Sequence, residues 1–173
     1  MPGAATLGGV ISGDTISGSV AVSQGGTLVS LAFNSNAGTY AETVSGLTGT
    51  GASNYVLAGA GNAPGTLTIA PKALTWSVAD AASTYGTTAV PGAATLGGVI
   101  SGDTISGSVA VSQGGTLVSL AARSSAGSYA ETVSGLTGTG ASNYVLAGAG
   151  NSTGTLTIAP KALTWSVADA AST

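Results

Sequence analysis

The stretch PGAATLGGVISGDTISGSVAVSQGGTLVSL begins at Pro2 and begins again at Pro91, 89 residues on. Between residues 2–84 and 91–173 only six positions differ: Phe33/Ala122, Asn34/Arg123, Asn36/Ser125, Thr39/Ser128, Ala63/Ser152 and Pro64/Thr153. A period this long is a whole small domain, longer than the usual solenoid unit. Separate chemistry in each half would need different residues in each half. Two interchangeable copies point instead to a spacer, a stalk or a fibre.

The 173 residues suit two small domains. Domains of about 89 residues bury only roughly 60–65% of their unfolded surface, so each core is modest. The 29 glycines, with many Ala, Ser, Thr and Val, suggest thin and closely packed sheets. Charged residues make up 5% of the chain, against about 25% in ordinary globular proteins. The only cations are Lys72, Arg123 and Lys161, and the net charge is −3. Three cations cannot track a phosphate backbone, which excludes nucleic acid as a partner.

The chain has no cysteine, which excludes disulfides and thiolate metal sites and leaves the compartment open. Residues 1–20 lack the basic start and continuous apolar core of a signal peptide. Met1 directly precedes repeat sequence, which reads as a fragment of a longer array. Mean hydropathy is +0.46, yet Ser, Thr, Gly or Asn interrupts every apolar run before the roughly 18 residues a membrane helix needs.

Alternation of apolar and polar residues, the period of a strand, runs through both copies. Leu74, Trp76 and Val78 point one way, and Thr75, Ser77 and Ala79 the other. Ile16–Val22 and Thr66–Ile69 follow the same rule, while Tyr55-Val56-Leu57 and Thr27–Leu31 read as further strands. Turn signals separate them, among them Ser12-Gly13-Asp14, Gln24-Gly25-Gly26 and Gly59-Ala60-Gly61-Asn62. The only helical candidate, Val78-Ala79-Asp80-Ala81-Ala82-Ser83, is short. This density of strands predicts an all-β fold of tandem small antiparallel β-sandwich, Ig-like repeats, elongated overall. A β-solenoid is the competing architecture, but no short period appears within the 89 residues.

The joints fall at Ala70-Pro71-Lys72 and Ala159-Pro160-Lys161, where proline removes a ladder donor and stiffens the chain. With that phasing residues 1–71 are a repeat unit lacking its first strand, and 72–160 are a complete unit. Residues 161–173 are then the first strand of a following unit. An incomplete sheet and an unpartnered strand are complementary liabilities. Self-association is therefore expected, strand 162–173 of one molecule adding to the N-terminal unit of a neighbouring copy. The other outcome is a strand that stays unpaired.

The stretches Thr84-Tyr85-Gly86-Thr87-Thr88, ATLGGVISGDTISGSV, AGSYAETVSGLTGTGASNYVL (126–146) and TLTIAPKALT (155–164) resemble the YDG/MBG-type repeats of filamentous-haemagglutinin-like bacterial surface adhesins. Tyr85 stands at the opening tyrosine; the aspartate that follows it in one subtype is absent, so the match is to the Tyr-Gly subtype. The resemblance spans the whole chain twice. It implies a secreted stalk displayed on the bacterial surface, a structural protein of cell adhesion or biofilm matrix. It implies no catalytic residues.

The residue content agrees with that expectation. Histidine is absent, which removes Ser-His-Asp and Cys-His catalysis and His-containing zinc sites. Asp14 and Asp103 lie in Ser-Gly-Asp turns, where aspartate ordinarily accepts local N–H groups. Glu42 and Glu131 share strand faces with Tyr40/Val44 and Tyr129/Val133. With Lys72 or Lys161 and Asn54 or Asn143 they hold the residue types of an isopeptide crosslink. Trp76 and Trp165 read as core anchors rather than sugar-stacking platforms. No cofactor, metal or catalytic residue is expected. The expected function is a non-enzymatic stalk or fibre repeat; the alternatives are a glycan-binding module and a self-assembling extracellular filament subunit.

Overall fold

A computed structural model describes residues 1–171. The protein is all-β and of sandwich type. The helical pieces among the described residues are single 3₁₀ turns at Ala52–Asn54 and Ala141–Asn143. The chain divides into two compact units, Met1–Pro71 and Lys72–Thr173.

Unit 1 is one antiparallel sheet. Its strands are β1 (Thr15–Gln24), β2 (Thr27–Leu28), β3 (Gly38–Thr50) and β4 (Gly65–Ile69), in the order β2-β1-β3-β4. The alternating Ile16, Val20 and Val22 turn one face of β1 inward. The β1–β2 hairpin closes through Gly25 and Gly26, with φ of 56° and 82°. A two-residue type I′ turn requires positive φ at both positions, which is why two glycines stand there. The β1–β3 register slips between Ser19 and Val20, a bulge on the β3 side.

Unit 2 contains β5 (Lys72–Val78), β6 (Ala81–Thr84), β7 (Ala94–Gly97), β8 (Thr104–Gln113), β9 (Thr116–Leu117), β10 (Gly127–Thr139), β11 (Tyr144–Leu146) and β12 (Gly154–Ala159). They form a five-stranded sheet, β6-β12-β10-β8-β9, and a three-stranded sheet, β11-β5-β7. The pairing of β8, β9, β10 and β12 reproduces that of β1 to β4, 89 residues on. The antiparallel expectation holds for these strands and for β5 against β7, but the segment 72–84 also makes two parallel pairings. There β5 runs parallel to β11 and β6 parallel to β12. Both partners lie far along the chain, as parallel pairing requires. The short helical candidate at Val78–Ser83 is instead the end of β5, the Ala79-Asp80 junction and most of β6.

Leu156 and Ile158 of β12, Val111 of β8, Tyr129 of β10 and Ala89 form the core of unit 2, with Ala81 of β6 packed against it. β12 alternates strictly between buried and exposed. Its twin β4 has the same sequence, but Leu67 and Ile69 are only half-buried. The difference is the neighbour, since β6 covers the outer edge of β12 and nothing equivalent pairs with β4. The same comparison corrects two expected strands. Tyr55-Val56-Leu57 is irregular, whereas the identical Tyr144-Val145-Leu146 is β11 beside β5. Thr27–Leu31 contracts to Thr27–Leu28. Residues 161–171 are not a strand either, because a strand exists only against a partner ladder; Ser172 and Thr173 lie outside the described residues.

Amide hydrogen exchange should separate these twins. At concentrations where the chain is a single 16.1 kDa species, Gly65–Ile69 should exchange markedly faster than Gly154–Ala159 despite identical local sequence, because only the latter is paired on both sides within one chain. Equal protection in peptides resolved by mass spectrometry would contradict the account.

Candidate functional site

The site begins with the pattern Leu-Thr-Trp-Ser-Val. In β5 it places Leu74 and Val78 in the interior, at 0% and 6% exposure, with Trp76 half-buried opposite Leu96 of β7. Each buried aliphatic side chain contributes roughly 1.5–3 kcal/mol. The backbone of the segment is held from several elements. The Val78 N–H donates to the Ser152 carbonyl and the Ser152 N–H to the Trp76 carbonyl, both at 3.0 Å. The Ala147 N–H donates to the Leu74 carbonyl at 2.8 Å, and the Ala79 N–H to the Ala93 carbonyl at 3.0 Å. Asn151 Oδ1 accepts the Trp76 N–H at 3.0 Å, and Asp80 Oδ1 accepts the Thr155 N–H at 2.8 Å. Two glycines leave room for this backbone. A Cβ on Gly92 would lie 1.7 Å from the Ala79 carbonyl oxygen, and one on Gly154 would lie 2.8 Å from it.

Unit 1 carries the same walls around an open groove of about 830 Å³. Ala4, Ala58, Asn62 and Ala63, the counterparts of Ala93, Ala147, Asn151 and Ser152, all line it. So do Gly3 and Gly65, where an added Cβ would meet only the Glu42 side chain, no nearer than 3.1 Å. The groove is therefore the space that β5 fills in unit 2. Leu7, Val20, Val44 and Leu57 are among its apolar lining residues.

The same polar contacts brace both units. Glu42 Oε1 accepts the Gly3 N–H at 2.9 Å, as Glu131 Oε1 accepts that of Gly92 at 3.0 Å. Asn62 donates Nδ2–H to the Ala58 carbonyl at 2.5 Å, as Asn151 does to Ala147 at 2.6 Å. The Tyr55 hydroxyl donates to Asp14 Oδ2 at 2.5 Å and accepts the Ile11 N–H at 3.1 Å. The Tyr144 hydroxyl does the same with Asp103, at 2.5 Å, and Ile100, at 3.0 Å. Burial and the bond to Asp103 hold the Tyr144 phenol above its ordinary pKa. For Tyr55 the bond to Asp14 is the main cause of the same shift.

These bonds revise the reading of the turn aspartates: each reaches a tyrosine 41 residues on. No local spacing signals that pairing. The crosslinking trio is not assembled. Lys72 and Lys161 are exposed, whereas Glu131 is wholly buried, with Oε1 on Gly92 and Oε2 unpartnered. Trp76 packs within its unit. Its twin Trp165 is 86% exposed, between Leu163 at 85% and Val167 at 81%.

No protein-family model, curated protein or solved structure matches this chain.

The raised Tyr144 pKa has a defined consequence for stability. The folded unit holds the phenolic proton more tightly than the unfolded chain does. Its contribution is therefore complete below the unfolded value of about 10 and is lost as pH rises through the higher folded value. The melting temperature of unit 2 should exceed that of the Tyr144→Phe variant at pH 8, and the gap should shrink above about pH 10. A gap that stays constant to pH 11 would remove the pair from the account.

Proposed function

We propose that the chain is a structural repeat, a non-enzymatic stalk or fibre segment of a secreted bacterial surface adhesin or matrix protein. The observation that carries this reading is the joint between units. β4 ends at Ile69 and β5, which belongs to the next unit, starts at Lys72. Only Ala70 and Pro71 separate the two strands, and a short proline-containing link is what a serial spacer calls for. The recurring polar side chains support the same reading. Glu42, Glu131, Asp14, Asp103, Asn62 and Asn151 are all engaged in bracing their own units. Surface display and secretion are what the resemblance to bacterial surface adhesin repeats implies.

One observation favours a glycan-binding module, namely the exposed indole of Trp165. Its twin Trp76 weighs against it, because the same sequence uses that indole for packing.

The test is to join two, three and four copies of residues 72–160 in series and measure each chain by small-angle X-ray scattering. The maximum dimension should grow by the same increment with each added unit. A dimension that fails to grow with unit number would overturn the stalk reading. On a glycan array the 173-residue chain should bind nothing. Binding that is lost in Trp165→Ala would establish the glycan reading instead.

A further inference from the structure

We infer that the groove of unit 1 is an acceptor site for residues 162–171 of a second copy of this chain, so that copies join head to tail by strand donation. The biological use of this contact rests on the stalk reading; the contact itself rests on the geometry below. Residues 162–170, ALTWSVADA, repeat residues 73–81 letter for letter. One copy of that sequence is β5 and the start of β6, seated in unit 2. The other is outside any strand, with Leu163, Trp165 and Val167 all exposed. Unit 1 has the matching groove, lined by the counterparts of the residues that hold β5.

Transposing unit 2 by 89 residues gives the register. Val167 N–H donates to the Ala63 carbonyl, and Ala63 N–H to the Trp165 carbonyl. Asn62 Oδ1 accepts the Trp165 N–H, and the Leu163 carbonyl accepts the Ala58 N–H. The Ala168 N–H reaches the Ala4 carbonyl, and the Asp169 carboxylate accepts the Thr66 N–H. Two of the six sequence differences fall here, at 63 and 64. Ser152 bonds to β5 only through its backbone N–H and carbonyl, and Ala63 retains both. Beyond Asp169, Ala170 and Ala171 match Ala81 and Ala82, which pair with Leu156 and Thr157. Their partners in unit 1 are Leu67 and Thr68, on the open edge of β4.

The acceptor is already shaped for its strand. The Glu42–Gly3, Asn62–Ala58 and Tyr55–Asp14 contacts have the lengths of their twins in the filled unit, to within about 0.1 Å. Association then orders one short segment rather than remodelling two surfaces. Donor and acceptor lie at opposite ends of the sequence and differ in kind. The contact is heterologous, and it propagates until a ring closes.

The experiment is light scattering after size exclusion across a hundredfold range of concentration. A concentration-dependent series in multiples of 16.1 kDa is expected. Two variants leave both units intact and should each collapse the series to one 16.1 kDa species. Val167→Asp charges the exposed donor. Gly3→Ala is tolerated in the open groove but, as Gly92 shows, collides with an inserted strand backbone. Mixing the two variants should restore only a dimer, because one retains an acceptor and the other a donor. The register is checked in a chain that otherwise has no cysteine. Ala63→Cys in one copy and Ser166→Cys in another should form an intermolecular disulfide, since their twins Ser152 and Ser77 form a parallel bridge. A single 16.1 kDa species for the parent chain at every concentration would overturn the proposal, whether Trp165 fluorescence reports burial within one chain or full exposure. Multimers that persist in both variants would overturn it as well. Either failure leaves the scattering test of the serial stalk untouched, so the two readings fail separately.

Discussion

Leu74 is wholly buried because its strand enters unit 2 between β11 and β7 and is held there by backbone groups on both sides. That insertion organises much of the unit. It gives β11 a partner ladder, gives β7 a sheet to join, and carries β6 along the open edge of β12. The buried faces of Leu156 and Ile158 follow from the last of these. Where the insertion is lacking, in unit 1, the same sequences relax: Tyr55–Leu57 and residues 5–8 leave the strand state, and Leu67 and Ile69 are only half-buried. Pairing and burial here are cooperative, and neither is a property of the local residues.

The walls of the groove behave differently from its rim. Glu42, Asn62 and Tyr55 make the same bonds as their twins whether or not a strand lies between them. Each joins elements that unit 1 builds unaided: β3 to the N-terminal segment, the 58–62 turn to itself, and the Ser-Gly-Asp turn to the residue after the 3₁₀ turn. The polar braces set the width of the slot, and the apolar residues supply the free energy of filling it. Gly3 and Gly65, like Gly92 and Gly154, keep the floor of the slot clear for a backbone.

This division of labour is compatible with the proposed serial stalk. Unit 2 is closed by β5, a segment that starts directly after Pro71. The scarcity of charge is consistent with it, because contacts built from backbone bonds and small apolar side chains require no charged partners. The cost is an open edge on β4, and the donor proposed for it is a second copy of the segment itself.

The all-β class, the turns at paired glycines and the strands β1, β3 and β8 were legible in the sequence. Each depends on local alternation and on backbone preferences that neighbours in sequence dictate. The repeat also displayed the phasing at Pro71, since a proline that cannot donate to a ladder marks a strand end. The parallel pairings of β5 and β6, the Tyr–Asp contacts 41 residues apart and the bond from Gly92 to Glu131 were not legible, because they join residues that no periodicity relates. The plainest case is ALTWSVADA, present twice with one composition and one pattern. The sequence by itself determined that this segment can be a strand with one apolar face. Only the tertiary structure decided that residues 73–81 are buried and residues 162–170 are exposed, because a strand takes its hydrogen bonds and its burial from the chain beside it.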